Sequence, residues 1–355
     1  MRAWEKNFRR VEPYVPGEQP KRLDVVKLNT NENPYPPAPG VEAARLSFTD
    51  DNLRLYPDPA ASSLTDVLAD YYHVDSDQVF VGVGSDDVLA MAFLTFFNSD
   101  KPILFPDITY SFYSVWAELF KIPYERPALD ADFRIVKEDY YKENGGVIFP
   151  NPNAPTSLLE PLDFIRDILE HNKESVVIVD EAYIDFAGEG ASALPLLQEY
   201  ENLLVVQTFS KSRSMAGMRI GYAIGHPSLI KAMNDVKYSY NSYTMNLPSL
   251  TMGVCAVKDD VYFKETIKKI VDTRREAVER LKALGFTCLE SGSNFLFASH
   301  KSVPAKQIFT ELREAGIFVR YFSSPRIDNY LRITIGTPEQ MDKLYNFLRR
   351  YQTEA

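Results

Sequence analysis

Lys211 stands in Thr208-Phe209-Ser210-Lys211-Ser212-Arg213, among small and hydroxyl residues that leave room for a ring, and Arg219 follows in Ala216-Gly217-Met218-Arg219. Upstream, the β-branched run Val176-Val177-Ile178-Val179 ends in Asp180, and Tyr183 comes shortly after it. An amine can form a Schiff base with an aldehyde, and a carboxylate can hold a proton on a pyridine nitrogen. A phenol can donate to a ring oxygen, and a guanidinium can neutralise a phosphate. Lys211, Asp180, Tyr183 and Arg219 together match the needs of a pyridoxal phosphate site. A lysine beside Arg219 and covered by a ring would also lose basicity and become usable near neutral pH. Taken singly, each residue has an ordinary reading: a solvated lysine, an aspartate capping a turn, a core tyrosine.

Further groups could complete such a site. Gly84-Ser85-Asp86 ends a strand signal and opens the apolar helical run Asp86 to Phe97. Backbone N–H groups at a helix start, with the dipole behind them, receive anions, and Ser210 and Arg219 would close a phosphate cup. The Tyr110 ring, in Thr109-Tyr110-Ser111, is placed to stack on a pyridine, although it is one aromatic among 21 tyrosines and 22 phenylalanines. Arg332 lies inside the β-branched stretch Leu331-Arg332-Ile333-Thr334. A guanidinium facing a core needs an anion, which a substrate carboxylate or phosphate would supply as well as a structural salt bridge.

The elements that must position these residues alternate. From about residue 62, helical signals (Leu64 to Tyr72, Asp86 to Phe97) interleave with strand signals at 78–83, 102–105, 146–149, 175–179, 202–206 and 219–225. Strands alternating with helices predict an α/β domain with a largely parallel sheet. Such sheets bind ligands at the carboxyl ends of their strands, which is where Gly84–Asp86, Pro106–Tyr110, Asn151–Thr156, Asp180–Tyr183 and Ser210–Lys211 fall. After Pro248 the character changes. One long helical region is expected from Thr251 to Leu284, then strands at 286–289, 294–297, 316–320 and 331–335 with helices at 306–315 and 338–351. The expected division is a proline-rich arm at 1–40, a large domain at 41–247 and a small α+β domain at 248–355.

Composition excludes several classes. A net charge of −10 speaks against a nucleic-acid binder. Two cysteines, Cys255 and Cys288, form neither a disulfide framework nor a zinc pattern. The histidines His73, His171, His226 and His300 lack metal-ligand spacing. No apolar run approaches the ~18 residues of a membrane span, and the start lacks the apolar core of a signal peptide. The expectation is a cytoplasmic enzyme of small molecules.

With these residues assembled, the chain resembles the fold-type-I pyridoxal-phosphate aminotransferases, and among them the histidinol-phosphate aminotransferase subfamily of histidine biosynthesis. The likeness is carried by Pro13–Gly17, Leu28-Asn29-Thr30-Asn31-Glu32-Asn33-Pro34, Tyr56-Pro57-Asp58, Gly84–Asp87, Asn151–Asn153, Asp180–Tyr183, the Lys211–Arg219 segment and Leu331–Thr337. It implies a large domain with a mostly parallel seven-stranded sheet beside a smaller α+β domain. The implied activity is reversible amino transfer between glutamate or 2-oxoglutarate and imidazole-acetol phosphate or L-histidinol phosphate. By resemblance, Lys211 is the Schiff-base lysine, Asp180 pairs with the pyridine nitrogen and Tyr183 bonds the ring 3-oxygen. Ser85, Asp86, Ser210 and Arg219 surround the phosphate, and Tyr110 stacks on the ring. Tyr56 reaches the cofactor phosphate of a neighbouring subunit, which makes the active unit a homodimer with shared sites. Tyr14, Asn29, Arg320 and Arg332 line the substrate pocket.

Ala154 is a departure. The family pattern carries an asparagine there that hydrogen-bonds the ring 3-oxygen, and a bond to a charged group contributes roughly 1.5–3 kcal/mol. Its loss is expected to raise the pKa of the Lys211 Schiff base and to leave Tyr183 as the main partner. Asn153, one position away, is not expected to take over. The rival activities are an aromatic amino acid aminotransferase or a threonine-phosphate decarboxylase of the same fold. A regulator that binds pyridoxal phosphate without turnover would need a DNA-binding segment for which the chain has neither the length nor a basic helix.

Overall fold

The computed structural model describes residues 2–21 and 24–352. The N-terminal arm contributes one short strand, β1 (Val26–Lys27). The large sheet follows: β2 (Val79–Gly82), β3 (Ile103–Leu104), β4 (Tyr124–Glu125), β5 (Gly146–Pro150), β6 (Val177–Asp180), β7 (Leu203–Thr208) and β8 (Gly221–Gly225). Its order is β2-β8-β7-β6-β5-β3-β4. Pairing is parallel from β7 to β4, and β8 runs antiparallel to both β7 and β2.

The central strands are apolar almost throughout because both faces are covered. Alternate side chains go to opposite layers. Val177 and Val179 of β6, with Leu203 and Val205 of β7, pack with Ile165, Ile168 and Leu169 of helix Leu162–His171. Ile178, Leu204 and Val206 pack on the other face against helices Ser85–Phe96, Phe112–Phe120 and Pro227–Tyr240. The last two of these helices and Leu162–His171 were not read from the sequence.

The C-terminal part carries β9 (Phe286–Cys288), β10 (Phe295–His300), β11 (Ile317–Phe318), β12 (Arg320–Tyr321) and β13 (Leu331–Thr334). Four of them form an antiparallel sheet, β12-β13-β10-β9, while β11 pairs in parallel with β1 of the arm. The single strand expected at 316–320 is therefore two: at Val319 the chain leaves the arm and turns to β13. This hand-over sets Arg320 directly opposite Arg332.

Two other expectations change. The long helical region is two helices, Leu247–Lys258 and Asp260–Ala283, separated by Asp259, whose side chain accepts from Tyr262 N and starts the second helix. The first packs with the large sheet through Leu250, Met252, Ala256 and Val257. The second packs with the small sheet through Ile270, Ala277 and Leu281. The packing partners thus change at Asp259. The strand expected from residue 219 begins at Gly221, because Arg219 has φ 53°, in the left-handed region. That turn takes its side chain out of the sheet and toward the strand ends. Among the described residues no helix is long and apolar enough to cross a membrane, and no group of acids, histidines and cysteines is arranged to hold a metal ion.

Candidate active site at the carboxyl ends of the large sheet

A cavity of about 190 Å³ opens where β5, β6 and β7 end, between the large sheet and the small one. Asp180, the last residue of β6, reaches it from below and is 4% exposed. Its Oδ2 accepts from Tyr113 OH at 2.8 Å and its Oδ1 from Ala182 N at 3.2 Å. Burial pushes this carboxyl up to about 6, against the pull of those two bonds. Lys211 enters from the turn after β7. Its Nζ donates to the Thr30 carbonyl at 3.1 Å and sits 5.6 Å from the centre of the Tyr183 ring. The turn is held by Met215 N donating to Phe209 O at 3.0 Å and by Asn33 Nδ2 donating to Ser212 O at 3.0 Å.

At one end of the cavity the backbone makes a cradle. Gly84, with φ +88°, precedes helix Ser85–Phe96, whose first residues Ser85 and Asp86 line the cavity with the helix dipole behind them. A Cβ on Gly84 would lie 2.5 Å from Arg219 Nη2, and one on Gly221 would lie 2.3 Å from Ser85 N. Gly221 is required by this approach to backbone, and Gly84 by its positive φ. Arg219 Nη1 is 3.5 Å from Ser210 Oγ and its Nη2 is 3.4 Å from Asp86 Oδ2. Asp86 also accepts from Tyr110 OH at 2.8 Å, which fixes that ring on the cavity wall.

The opposite wall comes from the arm and the small sheet. Arg332 donates through Nη2 to the Asn29 carbonyl at 3.0 Å, and its Nε is buried with no partner among the described residues. Burial lowers its pKa, and Arg320 beside it acts in the same direction. Its guanidinium lies 5.3 Å from the Phe295 ring and 5.7 Å from the Phe322 ring. Tyr14 stacks on Phe112 at 4.1 Å between centroids, and burial raises its phenol.

Of the expected residues, Tyr14, Ser85, Asp86, Tyr110, Asp180, Tyr183, Ser210, Lys211, Arg219, Arg320 and Arg332 line this one cavity. Asn29 lies behind the wall. Its Nδ2 donates to Glu18 O at 2.7 Å, and it serves the site through the carbonyl that holds Arg332. Tyr56 lies away from the cavity, 82% exposed, with its ring 4.6 Å from that of Tyr243. Ala154 lines the cavity with a methyl group. The Asn153 carboxamide is turned away, donating to Ile108 O and Thr156 Oγ1 and accepting from Thr109 Oγ1. Tyr113 and Asn31 carry no role in the sequence reading, although one bonds Asp180 and the other bonds Tyr183. Their partners are far away in sequence, so spacing gives no signal for them.

These groups fit pyridoxal phosphate. Asp180 is a buried carboxylate bonded to a phenol and an amide but, among the described residues, to no cation, and a protonated ring nitrogen would supply one. The cradle of Ser85, Ser210 and Arg219 would hold a phosphate, with Lys211 and Tyr183 on the wall between. Comparison with known proteins gives the family. Residues 23–348 match the family of class I and II aminotransferases. The histidinol-phosphate aminotransferase of Clostridium beijerinckii is 52% identical over 346 residues, which cover 98% of this chain and 96% of that protein. That of Pseudomonas putida is 51% identical over 347 residues, covering 98% and 99%. The solved structure of the Sinorhizobium meliloti histidinol-phosphate aminotransferase, in complex with pyridoxal-5'-phosphate, shares the fold with a TM-score of 0.83. It is 22% identical, and the match covers 91% of this chain and 90% of that one. With half its residues shared over nearly its whole length, the chain belongs to the class I and II aminotransferases, in the group of the histidinol-phosphate aminotransferases.

Proposed function

We propose that the chain transfers an amino group reversibly from glutamate to imidazole-acetol phosphate, giving 2-oxoglutarate and L-histidinol phosphate, with pyridoxal phosphate held between Asp180 and Lys211. The observation that carries this reading is one cavity with a buried carboxylate at its floor, a lysine beside it and arginines at both ends. When bound, the cofactor supplies a carbonyl that exchanges with amines and a ring that takes up the electron pair released at a substrate carbon. Asp180 keeps a proton on the ring nitrogen. Tyr183 donates to the ring 3-oxygen. Ser85 N, Ser210 Oγ and Arg219 take the cofactor phosphate, and the Tyr110 ring covers one face.

Lys211 Nζ would be the amine that holds the cofactor and the base that moves a proton on and off the substrate carbon. Arg332 and Arg320 face the far end, where each substrate presents an anion: the side-chain carboxylate of glutamate or the phosphate of histidinol phosphate. Arg332 lines that end of the cavity, held in place by the Asn29 carbonyl. Tyr14 and Phe322 keep this end apolar between the charges. The exposed Tyr56 fits a contact with the phosphate end of a second copy, so the proposed working form is a homodimer; the proposed compartment is the cytoplasm.

Adding pyridoxal phosphate to purified protein is expected to give a visible band that histidinol phosphate bleaches and 2-oxoglutarate restores. A protein that stays colourless would refute the cofactor. A preference of about tenfold or more in kcat/KM for aromatic keto acids or threonine phosphate over the proposed substrates would refute the substrate assignment.

A further inference from the structure

Tyr183 is held from behind by the arm. Asn31 Nδ2 donates to Tyr183 OH at 3.0 Å. The carboxamide itself is fixed by the small sheet: Thr334 Oγ1 donates to Asn31 Oδ1 at 2.9 Å and accepts from Asn31 N at 3.0 Å. In this orientation the Thr334 hydroxyl proton and the Asn31 backbone N–H both have partners. Turning the amide over would leave the Thr334 hydroxyl proton with no acceptor in a residue that is 3% exposed. Asn31 is 1% exposed, has φ 58° and receives Asn294 Nδ2 on its carbonyl at 3.0 Å. Asparagine is among the few residues that tolerate that backbone. A phenol that accepts from Asn31 has one proton left, and among the described residues no group takes it. Ala154, on the same cavity, offers no polar group at all.

We propose that Asn31 is a positioning residue that makes Tyr183 a one-way donor into the cavity, supplying from the arm the control of the ring 3-oxygen that Ala154 cannot share. The inference rests on the cofactor reading above. The charged and titratable groups close enough to sense the Tyr183 oxygen are Lys211, Arg332, Tyr14, Tyr110 and Tyr113, all on or next to the cavity. None of them bonds the phenol. Thr334 belongs to β13, so the same chain of bonds ties the phenol to the strand that carries Arg332.

The test is a pH titration of the visible band of protein loaded with pyridoxal phosphate. A donor to the 3-oxygen withdraws electron density from the Lys211 linkage, so losing it raises the titration midpoint. Asn31→Asp keeps the shape but reverses the polarity, drawing the phenol proton back onto the carboxylate. Its midpoint is expected to rise by about one pH unit. Asn31→Ala is expected to shift it less, and adding Ala154→Asn to Asn31→Ala is expected to bring it back. Thr334→Val removes the hydroxyl that orients the carboxamide and carries the same upward expectation should Asn31→Asp not fold. Midpoints equal to that of the unaltered protein in Asn31→Asp or, failing that, in Thr334→Val would overturn the proposal. So would an Ala154→Asn change that fails to reverse Asn31→Ala. A chain that takes up no pyridoxal phosphate in any form would instead overturn the cofactor reading and this inference with it.

Discussion

Asp180 and Glu181 are consecutive acids at the end of one strand, both buried, and the protein treats them in opposite ways. Glu181 faces away from the cavity. It accepts from Ala193 N at 2.6 Å, Ser192 Oγ at 2.7 Å and Gln207 Nε2 at 2.8 Å. Gln207 Oε1 in turn takes the hydroxyls of Tyr72 at 2.8 Å and Tyr222 at 2.7 Å. Asp180 faces the cavity with one phenol and one amide. Burial drives both carboxyls up, Asp180 to about 6 and Glu181 to about 7. On the Glu181 side the fold itself supplies three donors, on both carboxylate oxygens. On the Asp180 side it stops short, which is the condition for a cation to bind strongly there. Burial and a raised pKa do not separate a structural acid from a functional one, but the count of donors does.

The largest effect separates the two acids by activity. Asp180→Asn is expected to lower kcat by about 10²–10³-fold, the scale of losing one preorganised electrostatic group. Glu181→Gln is expected to leave kcat within a small factor. Steady-state rates of the two loaded variants decide this, and equal losses would collapse the contrast.

Stability should divide them again. Below the ordinary carboxylate range both folded and unfolded states hold these protons. As pH rises toward 6 and 7 the unfolded chain releases them while folded Asp180 and Glu181 keep theirs. The unfolded state then binds fewer protons, so the cofactor-free protein loses stability as pH increases through this window. At about 1.4 kcal/mol per unit, each acid costs roughly 3 kcal/mol once the window is passed. Denaturant melts across pH should show Glu181→Gln removing the part that ends near 7. Loading with cofactor should remove the part that ends near 6.

The cradle gives a smaller contrast. Gly221→Ala would set a methyl 2.3 Å from Gly84 C and Ser85 N, whereas a Cβ on Gly217 meets nothing within 4 Å. Gly221→Ala is expected to weaken pyridoxal phosphate binding by about tenfold or more, or roughly 1.4 kcal/mol. Gly217→Ala should stay within about 0.5 kcal/mol of the parent. Equilibrium titration with the cofactor measures both. The smallest effect is that of Tyr113→Phe. Removing its bond to Asp180 Oδ2 raises that carboxyl further, and affinity for the cofactor should fall by about fivefold, close to one ordinary hydrogen bond.

How far the sequence could be read depended on the range of the interaction. The strand ends at Asp180 and after Thr208, the glycines before Ser85 and the lysine among hydroxyl residues are local patterns, and they name the chemistry. The sheet strands were legible because burial on both faces writes a continuous apolar run. The helix break at Asp259 was not: its local mark is a capping aspartate within the charged run Lys258-Asp259-Asp260, which a helix exposed on that side would also carry, and the change of packing partner shows only in the fold. Nor was the split at Val319, where two short strands share one apolar stretch and separate only because β1 and β13 compete for it. Arg219 was read inside a strand because its φ of 53° cannot be seen in residue type.

By itself the sequence determined the class of chemistry and pointed to Lys211, Asp180 and the turn before Ser85 as the residues proposed for it, because these rest on residue types at short spacing. Tertiary structure decided the rest. It put Asn29 behind the wall as a carbonyl support for Arg332, turned Asn153 away from the cavity and gave Glu181 three donors. It also brought Asn31 and Thr334, 303 positions apart, behind the phenol of Tyr183. Which way a polar side chain faces is set by the donors and acceptors packed around it, and those come from segments that meet only when the chain has folded.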